Sequence, residues 1–343
     1  MRDPRLIDMH GHCLPAEYLR AAGRAGMRTF DGGMPIPRWN LGLAVEFMDR
    51  RNIAVQVLSV SSPPVHLLVG TRGAARLARR VNEAVAGLVA TRPGRFRAVA
   101  ALPLPDLRAA VEEVQHAVDV LGFVGVTLFT NYAGRYLGDP FFEPLLAVLN
   151  ERDVLVLLHP TSPVAADRTR LGRPSPVIEF PLDTTRTVVD MIYAGVLLRH
   201  PRLRIVVPHA GAALPALSWR IARFAADLPM PGRSGTITPD AVVSQLRSLY
   251  FDVALSGNDQ ALSPLLALVD HRRIVFGSDF PFAPERVVAD VVDGFATSGL
   301  LTRDQSRGIA HDNAETLLDP GDHQGEAPAA RPEKPPVARK EKT

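Results

Sequence analysis

Four of the ten histidines end or directly follow short apolar runs. His10 and His12 lie at the end of the run that begins at Leu6, His159 closes Val154–His159, and His209 follows Leu203–Pro208. A carboxylate, Asp279, stands in Gly277-Ser278-Asp279-Phe280-Pro281 just after the run Ile274–Gly277. Neutral imidazoles and a carboxylate are donors that Zn²⁺ and similar divalent ions accept. Residues two apart on a strand share a face, so His10 and His12 point the same way. His10, His12, His159 and Asp279 can therefore enclose one divalent ion, with a water or substrate oxygen completing its shell. One histidine after an apolar strand is ordinarily a hydrogen-bonded core residue. Five donors at equivalent positions are not. The other six histidines (His66, His116, His200, His271, His311 and His323) fall elsewhere. Cys13, beside the first pair, reads as a packing residue. Asp252 in Tyr250-Phe251-Asp252 can serve either the site or the fold, and Ser61-Ser62-Pro63-Pro64 reads as a turn at a pocket mouth.

The elements that must position these donors alternate in type. Short β-rich runs occur at Leu6–His10, Val55–Val60, Phe96–Leu102, Val124–Phe129, Val154–His159, Leu203–Pro208, Tyr250–Leu255 and Ile274–Gly277. Amphipathic stretches such as Ala74–Thr91, Leu107–Leu121, Pro144–Arg152 and Thr185–His200 separate them, with apolar residues three and four apart. The strands are continuously apolar rather than alternating, which implies burial on both faces and parallel pairing. Eight strands joined by helical crossovers predict a single (β/α)8 barrel over residues 1–320, whose catalytic side chains come from the carboxyl ends of strands. An open doubly wound sheet would carry a glycine-rich phosphate loop after the first strand, and Gly11-His12-Cys13-Leu14-Pro15 has the wrong chemistry. In a barrel the first and last strands are neighbours and the fifth lies opposite, so the donors surround the axis. Residues 321–343 are rich in Pro, Ala, Glu and Lys without apolar periodicity, and are expected to be a disordered tail.

Composition removes other functions. The 343 residues are 46% hydrophobic and 22% charged, with a formal net charge of +3. One cysteine excludes an internal disulfide framework and any four-cysteine site. Only Lys334, Lys340 and Lys342 are lysines, and all three lie in the last ten positions. Arginine cannot form a Schiff base, so imine chemistry and pyridoxal phosphate are excluded, as are a P-loop and a carbamylated-lysine binuclear centre. Scattered arginines interleaved with acids argue against nucleic acid. No basic-then-apolar leader and no apolar run of about 18 residues is present, so the expectation is a cytoplasmic protein without membrane contact.

The series Ile7-Asp8-Met9-His10-Gly11-His12-Cys13-Leu14-Pro15, His159-Pro160, His209-Ala210-Gly211, and Gly277-Ser278-Asp279-Phe280-Pro281 resembles the amidohydrolase superfamily. Ala101-Leu102-Pro103-Leu104, Asn131-Tyr132-Ala133-Gly134, Leu137-Gly138-Asp139 and Leu182-Asp183-Thr184-Thr185-Arg186 are similar to its aminocarboxymuconate-semialdehyde decarboxylase-like branch, and the segments Asp183–Arg186 and Tyr136–Pro140 resemble decarboxylases of 6-methylsalicylate-type acids. The resemblance implies one metal held by His10, His12, His159 and Asp279, with zinc expected before manganese and no organic cofactor. It implies His209 as acid/base, and a homodimer in which Arg220 reaches the partner's substrate carboxylate. Where the aminocarboxymuconate enzymes carry a second carboxylate-binding arginine, this chain has Asp31-Gly32-Gly33-Met34-Pro35, which favours a monocarboxylate. The expected reaction is metal-dependent, non-oxidative loss of CO₂ from a small aromatic hydroxy-acid, with protonation of the ring by Asp279 or by a water under the control of His209. A hydrolase of a lactone, amide or related carbonyl compound uses the same donors. A non-catalytic barrel would have no need to keep all five.

Overall fold

The structure, a computed structural model, describes residues 5–227 and 237–319. The expected tail, 321–343, lies outside them. Eight parallel strands form the sheet: β1 (Leu6–His12), β2 (Ile53–Ser59), β3 (Phe96–Ala101), β4 (Gly125–Phe129), β5 (Leu155–His159), β6 (Arg204–Val207), β7 (Tyr250–Asp252) and β8 (Ile274–Val275). Each pairs with the next in chain order. The barrel closes because β1 bonds to the segment following β8: Met9 N–H donates to Phe276 O at 2.9 Å, Asp279 N–H to His10 O at 2.7 Å, and His12 N–H to Phe280 O at 2.7 Å. This is the predicted (β/α)8 barrel, with every strand within two residues of its predicted start.

Side chains divide by strand parity between two cores. Ile7, Met9, Val57, Val99, Leu155, Leu157, Val206 and Val275 meet inside the barrel, where Ala314 and Leu317 join them. Leu58, Ala98, Val126, Leu128, Val156, Leu158, Ile205 and Ile274 pack outward with the helices. Thr71–Thr91 shows how such a helix earns its place: Ala74, Leu77, Ala78, Val81 and Val85 form one buried stripe on an otherwise polar surface. The predicted helix Thr185–His200 needs correction. It begins earlier, at Glu179, runs to Tyr193, and breaks at Gly195, whose φ of 72° is left-handed. A short turn, Val196–Arg199, then leads into β6.

Candidate metal centre and active site

His10 and His12 do share a face, but simple alternation would turn both away from the barrel axis, because Ile7 and Met9 already face inward. The pairing of β1 with β2 shows what changes the parity. Asp8 pairs with Gln56 and Gly11 with Leu58, so β1 spends three residues against two. This one-residue bulge puts both Met9 and His10 against the same inner cavity, beside Ser59, Thr127, His159 and Asp252. Gly11 is required at the bulge, since a Cβ there would lie 2.5 Å from the Gln56 side chain. His159 arrives without irregularity, at the inward parity of Leu155 and Leu157.

The predicted donors converge. Ligand atoms of His10, His12, His159 and Asp279 all lie within 4.8 Å of one another, and the three imidazoles are buried. Each imidazole is also oriented by a partner at Nδ1. His10 Nδ1 donates to Asp252 Oδ2 at 2.8 Å, and His159 Nδ1 to Pro160 O at 2.8 Å. His12 Nδ1 lies 2.8 Å from Ser59 Oγ, whose own proton goes to Gly11 O at 3.1 Å, so the hydroxyl must accept from the imidazole. All three tautomers are thereby fixed with the Nε2 lone pair turned inward. Histidines that bind metals are held in this way. His10 Nε2 is buried without a hydrogen-bond partner among the described residues, and His12 Nε2 lies 3.1 Å from Asp279 Oδ1. The donor set fits one divalent cation.

Shifts of opposite sign meet at this point. Burial alone would lower His10, but the charge of Asp252 and its hydrogen bond, with Asp279 and Asp8 nearby, push it up to about 9. Burial and the neighbouring imidazoles keep His159 well below its ordinary value, and burial likewise lowers His12. Burial would raise Asp279, yet the hydrogen bond with His12 and the surrounding imidazoles hold it well below the carboxylate range. Asp8 beneath the site is pushed up by burial, although it accepts bonds from Gln56, from His10 N–H, and from both the N–H and Oγ of Ser278. That last pair ties β1 to the turn that presents Asp279.

His209 stands at the rim, its Nε2 3.8 Å from Asp279 Oδ2. Among the described residues neither ring nitrogen has a hydrogen-bond partner. Its backbone N–H donates to Asp252 Oδ1 at 3.0 Å, so one carboxylate positions both His10 and His209. The turn is strained: His209, Ala210 and Ala212 have φ of 58°, 53° and 55°, a region that non-glycine residues rarely adopt. Strain of this kind persists where the surroundings enforce it, commonly at functional sites. Gly211 allows the close approach, since a Cβ there would meet the Phe251 ring at 2.8 Å.

Above the donors lies a cavity of about 320 Å³ lined by His159, His209 and Asp279 together with Phe30, Asp31 and Phe282. Ser61 and Ser62 line it too, as expected of the turn after β2. Among the described residues no lysine or arginine does. Arg220 is exposed on the helix Leu214–Asp227, its guanidinium 4.5 Å from the Phe224 ring centroid, and is not among the cavity residues. Cys13 is fully buried against Ser59 O, with burial pushing its thiol up to about 12, as befits packing. Sequence reading left Asp252 open; the structure gives it to the site. It passed over Ser59, whose signal was its place at the carboxyl end of β2, and Asp31, which no strand presents.

The amidohydrolase family profile matches residues 7–319. The chain belongs to the amidohydrolase family. Among its relatives, an Aspergillus niger protein described as decarboxylase yanB is 36% identical, over 91% of this chain and 87% of that one. The 6-methylsalicylic acid decarboxylase acuB of Aspergillus aculeatus is 35% identical, over 82% and 86%. A solved dihydroxybenzoic acid decarboxylase from Polaromonas sp. JS666, with bound manganese and the inhibitor 2-nitroresorcinol, superposes with a TM-score of 0.77 at 24% identity, covering 92% of this chain and 97% of that one. This amidohydrolase therefore shares its barrel with enzymes of that description, and no helix among its described residues is long and apolar enough to cross a membrane.

Proposed function

We propose that this amidohydrolase is a metal-dependent, non-oxidative decarboxylase of a small aromatic hydroxy-acid of the 6-methylsalicylate type. The observation that carries the reading is a set of four metal donors opening into an aromatic-walled cavity with no lysine or arginine among its described lining residues, in a chain whose relatives are named decarboxylases. Among the described residues a substrate carboxylate finds no lysine or arginine there, which leaves the cation as its strong partner. His10, His12, His159 and Asp279 would hold the ion. Bound, it supplies a template and a Lewis acid for the carboxylate and its ortho oxygen.

The chain's own residues then have distinct tasks. Phe30 and Phe282 give the ring an apolar slot and limit water. His209, whose ring nitrogens have no hydrogen-bond partner among the described residues, moves a proton to the ring carbon that bears the carboxylate. The bond from that carbon to the carboxyl carbon breaks, its electron pair returns to the ring, and CO₂ leaves. The balance is one arylcarboxylate and one proton giving one arene and one CO₂. No oxidant enters, so no organic cofactor is required. Asp279, held as a carboxylate, serves as ligand and as the proton's alternative station.

Zinc suits three imidazoles and a carboxylate, and manganese is the second choice. A second copy of the chain is the proposed partner. Trp219, 71% exposed beside Arg220, and the half-exposed Phe224 offer it an apolar face, and Arg220 would reach the partner's substrate carboxylate. The lone buried thiol is in keeping with a cytoplasmic setting. The test is a panel of hydroxybenzoates and lactones incubated with metal-loaded enzyme, with products identified by mass. Loss of CO₂ from a 6-methylsalicylate-type acid is expected. Uptake of water by the lactones alone would replace the reading with a hydrolase.

A further inference from the structure

Asp31 has one carboxylate oxygen fully occupied and the other bare. Ser62 Oγ and Thr161 Oγ1 each donate to Oδ2 at 2.6 Å, and Ser162 N–H donates to it at 2.8 Å. No hydrogen bond among the described residues reaches Oδ1. The anchors are themselves buried: Ser62 is 3% and Thr161 4% exposed. The backbone is held as well, because Gly32 packs so tightly that a Cβ there would lie 2.6 Å from Ser175 Cβ. This side chain is a rigid fixture of the wall. It lines the same cavity as His159, His209 and Asp279, among Phe30, Phe282 and prolines.

We propose that Asp31 selects the substrate, its Oδ1 accepting a hydrogen bond from a hydroxyl on the aromatic ring other than the one beside the carboxylate. The inference rests on the aromatic-acid reading and narrows it to a monocarboxylate that carries a second ring hydroxyl, one more than 6-methylsalicylate has. In the open cavity water can satisfy Oδ1. A ring that fills the cavity displaces that water, and a carboxylate oxygen left facing methyl or methoxy then loses its hydration without replacement. A hydroxyl there restores the bond in charge-assisted form. A second carboxylate meets like charge and is rejected. Asp31 is thus a specificity residue that touches the substrate at a distance from the bond that breaks.

The substitution Asp31→Asn makes a prediction of opposite sign. The Ser62 and Thr161 hydroxyls can rotate, but Ser162 N–H can only donate, so the amide must keep its oxygen on the anchors. Its NH₂ group then faces the cavity, turning an acceptor into a donor.

The experiment measures binding of phenols, which carry no carboxyl group to lose, to the full-length metal-loaded enzyme by calorimetry. Phenols substituted at the 3 or 4 position with hydroxyl, methoxy or methyl are compared in both proteins. At one of these positions hydroxyl should bind ~10- to 100-fold tighter than methoxy, the range expected for a hydrogen bond to a charged group. In Asp31→Asn methoxy should become the preferred substituent at that position. The idea is overturned if hydroxyl is preferred at neither position, or if the preference survives in a variant of unchanged metal content and melting temperature. Should the variant fail to fold, the ranking in the unaltered enzyme decides alone. Turnover of the matching hydroxybenzoates is followed in parallel. If no acid yields CO₂, the decarboxylase reading falls, while the phenol ranking still judges the role of Asp31.

Discussion

His10 is the residue in which charge and ligation meet. With its proton held up to about 9 by Asp252, it is cationic at neutral pH when no ion is bound, whereas His12 and His159 are lowered and already neutral. Only a deprotonated imidazole can ligate, so loading the site must expel the His10 proton. The expected outcome at pH 7 is release of about one proton per ion, falling toward zero as the pH rises past about 9. Calorimetry of metal binding in buffers of different ionisation enthalpy measures this directly, and zero release at pH 7 would contradict the assignment. Asp252→Asn should abolish the release and weaken metal binding by about 10- to 100-fold. His209 is proposed to act on the proton rather than on the ion. His209→Asn should keep the ion and lose about 10²–10⁴ in single-turnover rate, whereas His12→Ala should lose most of the ion. If His209→Asn strips the metal as His12→Ala does, His209 is a ligand after all.

At the scale of elements, the site depends on contacts between strand ends rather than on any one strand. Gly277, just beyond β8, shows how little room there is: a Cβ would lie 2.8 Å from His10 Cβ and 3.3 Å from Asp252 Cβ. Gly277→Ala should therefore push a ligand and its anchor apart, lowering metal affinity and costing about 1–3 kcal/mol of stability. Gly87, in the helix Thr71–Thr91, is the contrasting case, with nothing within 4 Å of an added Cβ. Gly87→Ala should raise the melting temperature, since alanine favours an exposed helix by about 1 kcal/mol, and leave metal content unchanged. Equal effects of the two substitutions would mean that the strand-end packing has no bearing on the centre.

For the whole molecule the open matter is how Arg220, exposed on its own barrel, could act on a substrate at all. The proposed two-fold dimer answers it by lending the residue across the interface, and symmetry then makes a complementation test possible. His209→Asn and Arg220→Ala should each be nearly inactive alone. Mixed and allowed to exchange, they form hybrids in which one site has an intact His209 and receives an intact Arg220. Recovery of about a quarter of the unaltered rate is expected from statistical pairing. No recovery in a mixture shown to contain hybrids would assign Arg220 to its own barrel or to none.

What the sequence by itself determined follows from periodicity and residue chemistry. Apolar runs buried on both faces must be parallel strands, and their order sets the barrel, so β1–β8 and the donors at their carboxyl ends were legible from local pattern. His10, His12, His159, His209 and Asp279 could be found because each sits next to such a run. The chain could not show that Met9 and His10 both face inward, because a bulge is a property of pairing: Asp8 and Gly11 against Gln56 and Leu58. Nor could it assign Asp252, Ser59 or Asp31. Asp252 meets His10 across 242 positions, Ser59 meets His12 across 47, and Asp31 meets Ser162 across 131. Hydrogen bonds of that span have no sequence period. They exist only once the barrel has closed and brought strand ends within about 3 Å, which is why the ligands could be read from the chain and their orientation only from the fold.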